Sequence, residues 1–219
     1  MHLVMFDIDG TLVQSTGQDV SHFTGAVHDV LGVHISTDWR DYQHVTDSGI
    51  LRQVLQQTVP RKVHGLFYRR IRQRFIDRLK WQLKHEPSLT PPIPGAGQFI
   101  ERLEQRDDVT IAIATGGWLE TAILKMQAAG IYCRDRYLAS SSDDYDRTRI
   151  MRIAEQRALS GRRPLSRTYF GDGEWDREAC QRLCYDFIAI GNRVDHQVAF
   201  SDFSDPNAIL AQMNLNRPE

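Results

Sequence analysis

Phe6-Asp7-Ile8-Asp9-Gly10-Thr11-Leu12 follows directly on the apolar run Leu3-Val4-Met5, and this change from hydrophobic to acidic decides how the chain is read. A short continuous apolar run, rather than an alternating one, is the pattern of a strand buried on both faces of a parallel sheet. Two carboxylates two positions apart, then Gly-Thr, stand where an open α/β sheet binds ligands, outside the carboxyl end of a strand. A solvent-exposed acidic turn is the competing reading, and the complete string at a strand end makes it the weaker one.

Working outward, residues 109–114, 168–170 and 187–190 repeat the buried-strand pattern. Helical periodicity fits at 95–105, 119–129, 148–159 and 176–184, with Pro92, Pro94 and Gly95 punctuating the first of these. The tail, 206–219, reads as one short helix with a frayed end. The predicted fold class is α/β: a Rossmann-like three-layer core around a central parallel sheet. A βα unit needs only about 30 residues, so most of the stretch from Gln14 to Leu89 is surplus to the sheet, and its periodicity is helical. The expected domains are therefore a core of residues 1–13 and 90–219 and an inserted helical domain of residues 14–89.

The last helix of the insert carries Ile71, Phe75, Leu79 and Leu83 at four-residue spacing, a stripe that must pack on something. Around it lies a basic block: residues 61–84 hold nine basic side chains against one acidic, Asp77, so a local charge of +8 is offset by −9 elsewhere in a chain of net −1. No nucleic-acid motif accompanies the block. The reading preferred is a solvated helix face that adds a positive field over an anionic substrate, with no nucleic-acid partner.

The 219 residues have 41% hydrophobic and 25% charged residues, an ordinary globular balance that excludes a mostly disordered chain. No apolar run approaches the roughly 18 residues that span a bilayer, so no membrane partner is expected. The apolar run before Asp7, Leu3 to Phe6, is only four residues long, too short for a secretory signal, and the odd set Cys133, Cys180 and Cys184 forms neither a metal-ligand quartet nor a disulfide framework. The expectation is a cytoplasmic protein, monomer or dimer, with Cys180 and Cys184 as small buried hydrophobes on one helix face.

Two further strand ends carry chemistry. Thr115-Gly116-Gly117 follows the run 109–114; the Thr115 hydroxyl can donate to a phosphoryl oxygen, and Gly116 lets backbone N–H groups approach. Gly171-Asp172-Gly173-Glu174-Trp175-Asp176 follows the run 168–170; Asp172 and Asp176 can face one cation, and oxygen-only ligation suits octahedral Mg²⁺. Helix capping by either aspartate is the alternative.

Together, FDIDGTL, IAIATGG and GDGEWD, in this order and spacing over nearly the whole chain, resemble the haloacid dehalogenase superfamily, a group dominated by Mg²⁺-dependent phosphatases. The insert then corresponds to the superfamily's helical cap. Most relatives have a Lys roughly 25 residues before the first Asp of the acidic loop, where this chain has Arg147; Arg149 is the competing candidate, and Arg147 is preferred because Ile150 and Ala154 set a helix behind it. An arginine is always charged and can bridge a carboxylate and a phosphoryl oxygen.

The resemblance implies a phosphatase acting on a small phosphorylated metabolite. Asp7 would be the nucleophile that becomes an aspartyl phosphate, and Asp9 the acid and base. Thr115, Gly116 and Arg147 would bind phosphoryl oxygens, and Asp7, Asp172, Asp176 and the Asp9 backbone carbonyl would surround Mg²⁺. In helical-cap relatives a loop of the insert reaches over the site; residues 45–50 are the candidate, with Asp47 and Arg52 proposed to touch substrate, against an ordinary helix-capping turn made by Thr46 or Asp47. Trp118 and Trp175 read as packing groups. Asp9 disfavours a dehalogenase, since a halide leaving group needs no acid. For a phosphonate hydrolase needing a cap lysine, Lys62, Lys80 and Lys84 sit in no motif. The alternatives kept are a phosphomutase similar to β-phosphoglucomutase and a non-catalytic binding module.

Overall fold

The computed structural model describes residues 1–132, 137–213 and 215. Six parallel strands form one sheet in the order β3-β2-β1-β4-β5-β6: β1 (His2–Phe6), β2 (Val109–Ala114), β3 (Leu138–Ala139), β4 (Arg167–Gly171), β5 (Asp186–Ile190) and β6 (Ala199–Phe200). The strand pleat sends alternate residues to opposite faces, which divides the core in two. Val4, Phe6, Ile113, Phe170 and Ile188 pack toward α4 (Ala96–Glu104), α5 (Leu119–Ala128) and α8 (Pro206–Gln212), with Phe6 stacked on Phe170 at 4.8 Å. Leu3, Met5, Ala112, Tyr169 and Ala189 pack toward α6 (Arg147–Leu159) and α7 (Glu174–Leu183). Helices therefore cover both faces, the arrangement an all-parallel sheet requires.

The four strands read from the sequence are present. β3 and β6 were not expected; each has two residues, too few to show any periodicity. Cys133 lies outside the described residues. Cys180 is buried on α7, but Cys184 ends that helix in a left-handed turn (φ 57°) and is exposed, so the two cysteines do not share a buried face.

Between β1 and α4 the chain forms α1 (Thr16–Leu31), α2 (Asp47–Thr58) and α3 (His64–His85), which gather a separate apolar cluster including Phe23, Leu51, Ile71 and Phe75. Trp118, from the core loop after β2, is driven into the same cluster. The stripe on α3 packs inward through Ile71, Phe75 and Leu79, with Leu83 half-buried. The chain leaves the core and comes back to it at adjoining points: Gln14 N donates to Pro91 O (2.9 Å), and Ile93 N to Leu12 O (2.9 Å).

The basic block of α3 does not line the cavity between insert and core. Arg74 and Arg78 pair with Asp29 on α1 (2.7 and 3.0 Å), and Arg72 pairs with Glu120 on α5 (2.5 Å). The stripe on the opposite face is what must be buried, so the charges are turned outward. Among the described residues, no helix is long and apolar enough to cross a membrane.

Candidate active site

The ends of β1, β2 and β4 meet beneath the insert, on either side of the sheet's first strand. β1 delivers Asp7 and Asp9; β2 delivers Thr115, Gly116 and Gly117; β4 delivers Asp172, with Asp176 one turn into α7. The close approach of the first and third loops depends on Gly10. Its φ is +81°, and a Cβ there would fall 1.9 Å from Asp172 Oδ2, so no other residue fits without displacing that carboxylate.

Ligand oxygens of Asp7, Asp172 and Asp176, all buried, lie within 4.8 Å of one another. Arg147, the first residue of α6, reaches this cluster: Nη1 lies 3.2 Å from Asp7 Oδ1 and 3.1 Å from Asp176 Oδ1. Asp146 caps α6 by accepting from the N–H groups of Thr148 and Arg149, which fixes the direction in which Arg147 leaves the helix. Arg149 points elsewhere, its side chain 64% exposed and 3.5 Å from Asp144. Arg193, in the loop after β5, holds Asp172 Oδ2 at 3.0 Å.

Three carboxylates facing two guanidinium groups are under-compensated. Burial, and then the nearby Asp176 charge, pushes Asp7 up to about 7. Burial and Asp7 push Asp172 up to about 7. Asp176 is raised by burial to about 6, with Arg147 working against the rise. Asp172 Oδ1 is buried without a hydrogen-bond partner. A close set of hard, oxygen-only donors with surplus negative charge and one orphaned oxygen fits a divalent cation. The Asp9 carboxylate is not in the set: its Oδ1 accepts from Ser15 Oγ and from Lys125 Nζ (2.5 Å).

Asp7 faces a partly open cavity of about 110 Å³ between core and insert. Asp7, Asp9, Thr115, Gly116 and Arg147 line it from the core, and Asp19, Phe23, Trp39 and Asp47 from the insert. Thr115 is buried, its Oγ1 accepting from Gly117 N at 3.1 Å. The loop before α2 both caps that helix and faces the cavity: Thr46 Oγ1 accepts from Gly49 N, while Asp47 Oδ2 accepts from Trp118 N at 2.9 Å. Burial, followed by the Asp19 charge, pushes Asp47 up to about 8.

Arg52 is not brought to this cavity. Its guanidinium lies 4.3 Å over the Tyr145 ring and lines a different depression, because α2 turns position 52 away from position 47. Trp118 is fully buried and donates Nε1–H to Ser48 Oγ and Tyr68 Oη, whereas Trp175 lines the cavity. Sequence reading missed Lys125, Asp19 and Arg193. Lys125 had a signal, a lysine between the core positions Ala122 and Met126 of α5. The other two lie in no motif.

The model of a hydrolase family, haloacid dehalogenase-like hydrolase, matches residues 1–183. No curated protein matches significantly. Among solved structures, a hydrolase from Pseudomonas syringae is 18% identical, with 100% of both chains covered and a TM-score of 0.72. β-Phosphoglucomutase from Clostridium difficile is 12% identical, with 97% of both chains covered and a TM-score of 0.75. CbbY from Rhodobacter sphaeroides, in complex with phosphate, is 17% identical, covering 93% of this chain and 95% of its own, with a TM-score of 0.64.

Proposed function

Since the chain belongs to the haloacid dehalogenase-like hydrolases, we propose that it is a Mg²⁺-dependent phosphatase that hydrolyses a small phosphorylated metabolite through an aspartyl phosphate on Asp7. The carrying observation is the placement of Asp7 and Asp9 in one cavity with Arg147 bound to Asp7. Mg²⁺ held by Asp7, Asp172 and Asp176 would neutralise phosphoryl charge, which otherwise repels a carboxylate nucleophile. Asp7 attacks phosphorus in line; Asp9 gives a proton to the departing alcohol and then takes one from the water that releases phosphate. Thr115, Gly116 and Arg147 hold the phosphoryl oxygens that carry charge during transfer.

A phosphomutase would need cations on the insert to hold a second phosphate. Among the described residues, the cations lining the cavity are Arg147 and Arg193, both from the core, while the insert contributes Asp19 and Asp47. This favours the phosphatase and a leaving alcohol without negative charge. Phosphate release is expected from monoesters of uncharged or amino alcohols with Mg²⁺ present, with far less from phosphoglycolate or sugar bisphosphates and without isomerised sugar phosphate. A panel in which no ester releases phosphate with Mg²⁺ would sink the reading.

The acidic cluster also predicts a stability signature. Asp7 and Asp172, raised from an ordinary 3.8 to about 7, hold protons in the folded state that the unfolded chain has released. Stability of the metal-free protein therefore falls as pH rises from about 4 to about 7. A cation that replaces those protons reverses the loss. Mg²⁺ at 10 mM is expected to raise Tm by about 4–8 °C at pH 8, as for a ligand at 10–100 times its Kd, and to do little at pH 5. An equal shift at both pH values in thermal melts would count against the cluster as the binding site.

A further inference from the structure

We infer that Lys125 is a positioning residue for the proton transfer assigned to Asp9, and that through Asp19 it couples this transfer to the seating of the insert; the inference rests on the phosphatase reading above. Lys125 lies within α5 with its side chain fully buried, and its ammonium donates to Asp9 Oδ1 at 2.5 Å and Asp19 Oδ2 at 2.6 Å. A lysine is almost never fully buried unless paired. At a position flanked by Ala122 and Met126, an apolar side chain would serve packing better, so packing does not account for it.

The geometry at Asp9 is specific. Ser15 Oγ and Lys125 Nζ converge on Oδ1. Oδ2 is left on the side of the β2 loop, where a Cβ built on Gly117 would lie 3.5 Å from Asp9 Oδ2 and 3.6 Å from Thr115 Oγ1. One oxygen is thus anchored and the other faces the loop assigned to the phosphoryl group. In the first half-reaction the Asp7–phosphorus bond forms as the bond from phosphorus to the leaving oxygen breaks. That oxygen keeps the electron pair and takes the proton from Asp9 Oδ2. In the second, the water oxygen bonds phosphorus, the Asp7–phosphorus bond breaks, and the water proton goes to Oδ2. Lys125 keeps its own protons throughout and fixes the carboxylate that exchanges them.

Asp19 supplies the second half of the device. The ammonium that holds Asp9 Oδ1 is itself held on its other side by Asp19 Oδ2 at 2.6 Å. Asp19 belongs to α1, so the ion pair with Lys125 spans insert and core. The group that anchors Asp9 is therefore itself braced by the insert.

The test is the dependence of kcat/KM on the leaving group, measured for the full-length chain with Mg²⁺ on ethyl, phenyl, 4-nitrophenyl and 2,4-dinitrophenyl phosphate. A dinitrophenolate departs without a proton, whereas an alkoxide needs one. Lys125→Met is expected to lower kcat/KM on ethyl phosphate by about 100-fold or more, within the range of general acid catalysis, and by less than about 5-fold on 2,4-dinitrophenyl phosphate. Asp9→Asn should show the same selectivity. If Lys125→Met melts below the assay temperature, Lys125→Gln, which keeps a donor and most of the stem, carries the same comparison. Equal losses on all four esters would mark Lys125 as structural only and overturn the inference. If Asp9→Asn discriminates and the Lys125 variants do not, the inference falls while the phosphatase reading stands; if the unaltered chain hydrolyses none of the four, both fall.

Discussion

Asp7→Asn is expected to abolish phosphate release, with kcat lower by about 10⁴–10⁶-fold, the scale seen when a covalent nucleophile is removed, and at the same time to make the metal-free protein more stable. The two effects have one origin. Asp7 is buried beside Asp176 and Asp172, and its carboxyl is raised to about 7 even though Arg147 lies 3.2 Å away, so its ionised form is a net cost to the folded state. A neutral amide of the same shape removes that cost. A stabilisation of about 1–3 kcal/mol at pH 8 is expected, given that a tenfold change in proton affinity corresponds to about 1.4 kcal/mol, and it should shrink when Mg²⁺ is added. Thermal melts of both proteins with and without Mg²⁺, beside a phosphate-release assay, separate these outcomes. Retained turnover would eliminate the covalent route, and loss of stability without metal would contradict the electrostatic account.

Arg147→Ala should damage both activity and folding. Its guanidinium, 10% exposed, serves Asp7 and Asp176 together, and it is raised further above its ordinary value by those carboxylates and Tyr169 despite burial acting the other way. Removing one partner of a buried ion pair leaves uncompensated charge and costs about 3–5 kcal/mol. Turnover is expected to fall by about 10³-fold, the upper range for losing one preorganised donor to the transition state. Arg149→Ala, at a side chain 64% exposed, should change either quantity less than about twofold. Arg147→Lys distinguishes charge from shape, since an ammonium can replace Nη1 beside Asp7 and Asp176 but not the second arm that reaches the Val45 carbonyl. A larger activity loss in Arg149→Ala than in Arg147→Ala would reverse the assignment.

What could be read from the sequence follows how each feature is encoded. β1, β2 and β5 carry short apolar runs and β4 the pair Tyr169-Phe170 before Gly171, and the acidic and Thr-Gly strings at three strand ends are contiguous, so both fold class and the carboxylate cluster are legible. Lys125, Asp19 and Arg193 are brought in by packing between segments far apart in the chain, and no local spacing marks their convergence. Arg52 failed for a related reason: nearness to Asp47 in sequence does not survive the rotation of a helix, which turns side chains five apart to different faces. The charge of α3 was legible as a solvated face, but its place relative to the cavity was not. A run of arginines reports how many cations an element carries, but the buried stripe of Ile71, Phe75 and Leu79 decides which way they face.

The hydrogen bonds that join Gln14 to Pro91 and Leu12 to Ile93 make the insert a loop whose two feet touch. A loop of that kind can lengthen, shorten or be exchanged for an unrelated one without moving any strand, because the sheet is bridged by the paired feet and not by what stands on them. Away from the feet the insert is tied to the core again, through Lys125 to Asp19, Arg72 to Glu120 and Trp118 N to Asp47, so that it is fastened at its far side as well as at its base.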